Sequence, residues 1–186
     1  MNFNIRHPQG HNYMTDPTIE DTDGQAHVAN ASAFASSDLF FRIYDESMAM
    51  VRESADYLEL EGVIERQQLS QKLGLVYACE SMRLTTRLMQ VSAWLLAMRA
   101  IRQGELQPGE IDKRGFRLGA KEVCIGGPVR GAGLLPVRLI NLLEASKRLY
   151  ERVARLDQLL FADTGQLPAH NPVVAQLSRL EQAFNI

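Results

Sequence analysis

The chain has 186 residues, of which 46% are apolar, enough for one ordinary core and a single globular unit. Its formal net charge of -2 speaks against a protein devoted to nucleic acid or to an anionic membrane surface. The two cysteines, Cys79 and Cys124, lack Cys-x-x-Cys spacing and build neither a disulfide framework nor a zinc site, so a cytoplasmic location is expected.

Residues 1–34 are rich in Asn, Asp, Thr, His, Gly and Pro, with aliphatic side chains at Ile5, Ile19 and Val28. Such a stretch buries too little apolar surface to offset its ordering entropy, and a mobile N-terminal extension is expected. Met14 opens the run MTDP and is an alternative start to Met1.

The first helix is expected over about 37–61. Ser36, Ser37 and Asp38 supply a hydroxyl for the unpaired first-turn amides and a negative charge for the positive helix end. Phe40, Ile43, Tyr44, Ser47, Met50, Val51, Ser54 and Leu58 follow at three-and-four spacing, with an acidic face opposite and Gly62 as the stop.

A second, longer helix is expected over about 70–103, closed by Gly104. Leu75, Cys79, Met82, Met89, Ala93 and Leu96 line one side, and Cys79 there reads as a small core residue. Leu84, Leu88, Val91, Leu95 and Met98 line nearly the opposite side, with Arg83, Arg87 and Gln90 on the flank between. A helix with two apolar faces must cover both. Leu84, Leu88, Val91 and Leu95, with Arg87 beside them, are the expected dimer or partner face, and a homodimer is the simpler cover.

Ten glycines and prolines interrupt residues 104–134, which read as a mobile connection with a short strand-like run at Glu122–Ile125. A third helix is expected over about 136–161, starting at Pro136. Leu139, Leu142, Leu143, Ser146, Leu149, Tyr150, Val153, Leu156 and Leu160 form its single stripe. Residues 162–186 form a tail with a weak helix at about 172–184, in which Val173, Val174, Leu177 and Leu180 are candidate contacts.

The inventory of chemical groups points away from catalysis. Gly126, Gly127, Gly131 and Gly133 precede a helix, but Leu134 and Leu135 stand where a phosphate loop needs Lys and Ser or Thr. His7 and His11 lie among Pro8 and Gly10, His27 and His170 are isolated, and the three expected helices contain no histidine. No metal, cofactor or catalytic residue is therefore assigned. Cys124, near Lys121, is a candidate reactive thiol, and Glu80 reads as an intrahelical partner of Arg83. The basic second helix and acidic first helix are expected to lie side by side and attract. No short recognition-helix pair suggests DNA readout, and no apolar run approaches the roughly 20 residues that span a bilayer.

The run Glu80-Ser-Met-Arg-Leu-Thr-Thr-Arg-Leu-Met-Gln-Val-Ser-Ala-Trp-Leu-Leu96 closely resembles the central helix of the RcdA family, named for regulator of CtrA degradation. Leu134–Leu139, Ser146–Asp157 and Tyr44–Gly62 agree in the same order, so the resemblance spans about residues 34–160. It implies an all-α fold, an antiparallel three-helix bundle over 35–161 that dimerises. It further implies a non-enzymatic adaptor of alphaproteobacteria, coupling cargo regulators to the ClpXP protease for cell-cycle-timed proteolysis. The implied partners are ClpXP primed by a CpdR-like receiver, cargo proteins and further adaptors such as PopA. A helical transcription-related regulator or small-ligand sensor is the alternative.

Overall fold

The computed structural model describes residues 22–111 and 115–161. Six helices form there, α1 (Thr22–Ala35), α2 (Asp38–Glu59), α3 (Glu61–Gln67), α4 (Gln71–Arg102), α5 (Lys121–Ile125) and α6 (Val137–Phe161). Short 3-10 turns occupy Pro108–Glu110 and Ala132–Leu134, and the described residues contain no strand, so the fold is all-helical.

Local chemistry sets the helix boundaries. The Ser37 hydroxyl accepts a hydrogen bond from the Phe40 amide at 3.2 Å, and Ser70 does the same for Leu73 at 3.4 Å. Gly104 takes φ 74°, which only glycine adopts freely, and the Glu105 and Leu106 amides turn back onto the Ala100 carbonyl. At the end of α2 the chain kinks at Leu60 and resumes as α3. Gly62 therefore does not end a helix; it lies buried inside α3, where a Cβ would collide with the Tyr77 hydroxyl and the Tyr57 carbonyl.

The N-terminal segment departs from expectation. Residues 22–35 form α1, which packs against α4, with Ala31 and Ala35 fully buried. Phe34 sets its ring 5.9 Å from both Phe40 and Trp94. Alanine is the best helix former, and its small side chain lets two helices approach closely. A count of aliphatic residues overlooks such a face. The expectations for the preceding residues, including the choice between Met1 and Met14, lie outside the described residues. So do those for the tail, with Val173, Val174, Leu177 and Leu180.

Cross-helix contacts give the directions of the long helices. On α2 and α4, Arg102 stacks over the Phe41 ring and Arg99 donates to the Tyr44 hydroxyl, whereas Tyr57 and Tyr77 meet at the other end. These helices are antiparallel. Arg152 pairs with Glu46 and Arg138 with Glu61, so α6 is also antiparallel to α2. Arg87 reaches the Leu143 carbonyl and Trp94 reaches Asp157, so α4 and α6 run parallel.

Parallel neighbours require the chain to travel back the full length of the first before starting the second. Residues 103–111 and 115–136 make that return journey, which explains the length of the connection. It is also packed: Leu106, Leu118, Cys124, Ala132 and Leu135 are buried, and Glu122–Ile125 belongs to α5 rather than to a strand. The acidic α2 and α3 send these ion pairs to α6, while the arginines at the end of α4 meet aromatic rings of α2.

Candidate functional site

The 32 residues of α4 give it a length of roughly 48 Å, and its faces have three different fates. Leu84, Leu88, Val91, Leu95 and Met98 are buried against the other helices of the same chain. Arg87 is only 3% exposed. The expected dimer or partner face is thus the interior of the fold, and none of Leu84, Leu88, Val91, Leu95 or Arg87 is available to a partner. Each large aliphatic side chain buried this way contributes roughly 1.5–3 kcal/mol, and the face flanked by α1, α2 and α6 collects that gain.

The side expected to be interior is exposed. Leu75, Met82 and Met89 are 69%, 70% and 66% accessible, and Cys79, Ala93 and Leu96 are exposed with them. With Thr86, these residues keep strict four-three spacing from position 75 to position 96. Such a 3.5-residue repeat keeps one narrow seam in line along a helix, the arrangement by which two helices pack knobs into holes. The repeat is legible in the sequence. Its exposure depends on which of two apolar faces the other helices cover.

Between the two apolar faces runs a polar seam, Glu80, Arg83, Arg87, Gln90 and Trp94, and each of these but Arg83 fastens a different point of the returning segment or α6. Trp94 Nε1 donates to Asp157 at 2.8 Å, and Arg117 Nε donates to the same carboxylate at 2.9 Å. Gln90 Oε1 accepts from the Gly119 amide at 2.9 Å. Arg87 Nε donates to the Cys124 carbonyl at 2.7 Å and Nη1 to the Leu143 carbonyl at 2.9 Å. Glu80 Oε1 accepts from the Val129 amide at 2.6 Å and from Arg83 at 2.8 Å. The expected Glu80–Arg83 pair is present, but Glu80 is itself buried and also anchors backbone 49 positions away.

Electrostatics within the seam follow from burial. Desolvation, and secondarily the charge of Arg83, lower the Arg87 pKa from its ordinary value. The Cys124 thiol lies fully buried and burial pushes its pKa up. The two cysteines therefore exchange their expected roles, with Cys124 a packed interior residue and Cys79 exposed on the α4 seam. Among the described residues no cluster of three or more His, Cys, Asp or Glu is placed to hold a metal, and no helix is long and apolar enough to cross a membrane.

Residues 31–184 match the family model described as a protein of unknown function, DUF1465. The crystal structure of RcdA from Caulobacter crescentus CB15 is 43% identical and superposes with a TM-score of 0.57, covering 72% of this chain and 99% of that one. The chain belongs to the RcdA family. No curated protein matches it. The Glu80–Leu96 run that carried the RcdA resemblance supplies residues to all three faces of α4, which accounts for its mixed composition: core leucines, a polar seam that holds the crossover, and exposed methionines.

Proposed function

We propose that this RcdA-family chain is a non-enzymatic, cytoplasmic adaptor that couples cargo regulators to ClpXP. The observation that carries this reading is the 43% identity to RcdA across 99% of that protein's chain. In the proposed form α2, α4 and α6 act as a three-helix bundle whose long α4 presents the partner surface. An adaptor holding both a protease primed by a CpdR-like receiver and a cargo raises the cargo's local concentration, turning a weak second encounter into an effectively intramolecular one. Further adaptors such as PopA are proposed to join the same assembly.

The exposed seam from Leu75 to Leu96 supports a homodimer in which α4 of one copy packs on α4 of the other. Its four-three spacing suits a helix of the same repeat, and exposed apolar stripes of this extent mark interaction sites. Met82→Asp with Met89→Asp should convert the dimer to a monomer in sedimentation equilibrium with the helical circular-dichroism spectrum of the bundle retained. An unchanged dimer would move the interface elsewhere.

The function itself is tested by reconstitution with ClpXP, a CpdR-like receiver and the cargo recovered on the tagged full-length chain. Addition of the chain should shorten the cargo's half-life by roughly tenfold, within the gain expected from effective concentration. Cargo degraded at the same rate with and without the chain would reject the adaptor reading.

A further inference from the structure

A cavity of about 310 Å³ opens where α4, α6 and the returning segment around Gly126–Gly133 converge. One wall is apolar, formed by Pro128, Ala132, Ile140 and Leu143. Arg83, Arg87 and Lys147 also line the cavity, with the Arg87 guanidinium held by the Cys124 and Leu143 carbonyls. Two carboxylates also line it, but neither serves these cations fully. Glu80 is engaged by the Val129 amide and by Arg83 Nη1, and Glu144 lies exposed beside Arg148.

The remaining charge is positive and one donor is unspent. Arg83 Nε is buried without a hydrogen-bond acceptor. Folded proteins rarely leave a buried donor unpaired, because its desolvation is then uncompensated. Lys147 is 42% exposed and stands 3.8 Å from Glu151, a loose pair that leaves its ammonium able to turn inward. An anion placed here would also relieve the repulsion between Arg83 and Arg87, which lie one helical turn apart.

We propose that this cavity binds a carboxylate carried on a short aliphatic body, the carboxylate meeting Arg83 and Lys147 and the body packing on Ile140, Leu143 and Ala132. Guanidinium groups match carboxylates in shape as well as charge. The volume lies at the small end of ligand sites, roughly 300–1,000 Å³, and suits one aliphatic residue or a small branched acid. Such a group has two sources, the free C-terminus of a polypeptide or a free carboxylic acid. The first would deepen the adaptor reading and rests on it; the second stands without it.

Nitrogen-15-labelled full-length chain, titrated with isocaproate, with the peptide Ala-Ala-Leu and with the same peptide amidated at its C-terminus, separates these cases. The Arg83 Nε–H and Val129 amide resonances should shift saturably with the acids, with dissociation constants between roughly micromolar and millimolar. The amidated peptide should bind at least roughly tenfold more weakly, as should both acids to Lys147→Glu and Ile140→Ala, whose positions are not fully buried. Tighter binding of the peptide assigns the site to a polypeptide terminus, and tighter binding of isocaproate assigns it to a small acid. The absence of a saturable shift, or equal binding of the acid and amide peptides, overturns the proposal. The titration contains neither protease nor cargo, so its result is independent of the degradation assay.

Discussion

Asp157 on α6 and Trp94 on α4, 63 positions apart, share a buried hydrogen bond of 2.8 Å from the indole Nε1 to the carboxylate. The same carboxylate receives Arg117 from the returning segment, and Arg117 in turn donates to the Phe161 carbonyl and lies over the Phe161 ring. One acidic side chain thereby joins α4, α6 and the middle of the crossover at a single point. A buried carboxylate is tolerated because a guanidinium and an indole N–H compensate its desolvation.

Replacing Asp157 by Leu should cost roughly 3–5 kcal/mol, since it leaves the buried indole donor unpaired and takes from Arg117 its carboxylate, with the Phe161 carbonyl alone remaining to it among these acceptors. Asp157→Asn keeps one acceptor oxygen and should cost less, roughly 1–3 kcal/mol. Urea denaturation measures both, and equal stability of the wild type and Asp157→Leu would show that this junction contributes nothing.

Leu88 and Met89 are neighbours in sequence with opposite surroundings, the first 7% and the second 66% accessible. Leu88→Asp buries an unpaired charge and should abolish cooperative unfolding at ordinary temperature. Met89→Asp should stay within roughly 0.5 kcal/mol of wild type when the chain is held monomeric at high dilution. Thermal melts followed by circular dichroism distinguish the two; similar melts would contradict the orientation of α4.

Thiol reactivity offers a test without mutation. Cys79 is exposed on α4, whereas Cys124 is fully buried with its pKa raised by desolvation. With the chain held monomeric at high dilution, an aromatic disulfide reagent should modify one thiol rapidly and the second only after denaturant is added. Mass mapping should place the fast label on Cys79, and fast labelling of Cys124 would contradict the packing of the crossover.

Alkaline pH should weaken the fold. Burial, and then the neighbouring Cys124, push the Tyr150 hydroxyl up from 10.0 to about 12, and that hydroxyl donates to the Gly119 carbonyl. A group raised in the folded state favours folding below its unfolded pKa, and this contribution is lost as pH rises through the folded value. Stability should therefore fall between pH 10 and about 12. Tyr150→Phe, though less stable at neutral pH, should show a shallower decline in denaturant midpoints over that window. An identical slope would remove Tyr150 as a contributor.

Burial of Gly62 against Tyr57 and Tyr77 predicts that Gly62→Ala, normally helpful within a helix, destabilises here by roughly 1–3 kcal/mol through overpacking. A neutral or stabilising effect in chemical denaturation would mean that the α3–α4 contact yields easily.

The positions of the long helices α2, α4 and α6 were legible from the sequence because they depend on local chemistry, whereas α1, α3 and α5 were not. Ser37 and Ser70 cap where hydroxyls precede apolar stripes, and the stripes from Phe40 and from Leu139 are interior as their spacing indicates. The family was legible too, since Glu80–Leu96 combines requirements that a generic amphipathic helix does not impose. Periodicity could not decide which of two apolar faces on α4 turns inward, because both obey helical spacing and differ only in what surrounds them. Nor could it place Arg87, Glu80 and Asp157 in the interior: a charge is buried only where distant backbone or side chains, such as the Cys124 carbonyl, the Val129 amide and Arg117, arrive to satisfy it. Local sequence fixes the period of a helix and the chemistry of its ends. Which face is covered, and which charge finds its partner, is decided only when the crossover brings residues of high sequence separation together.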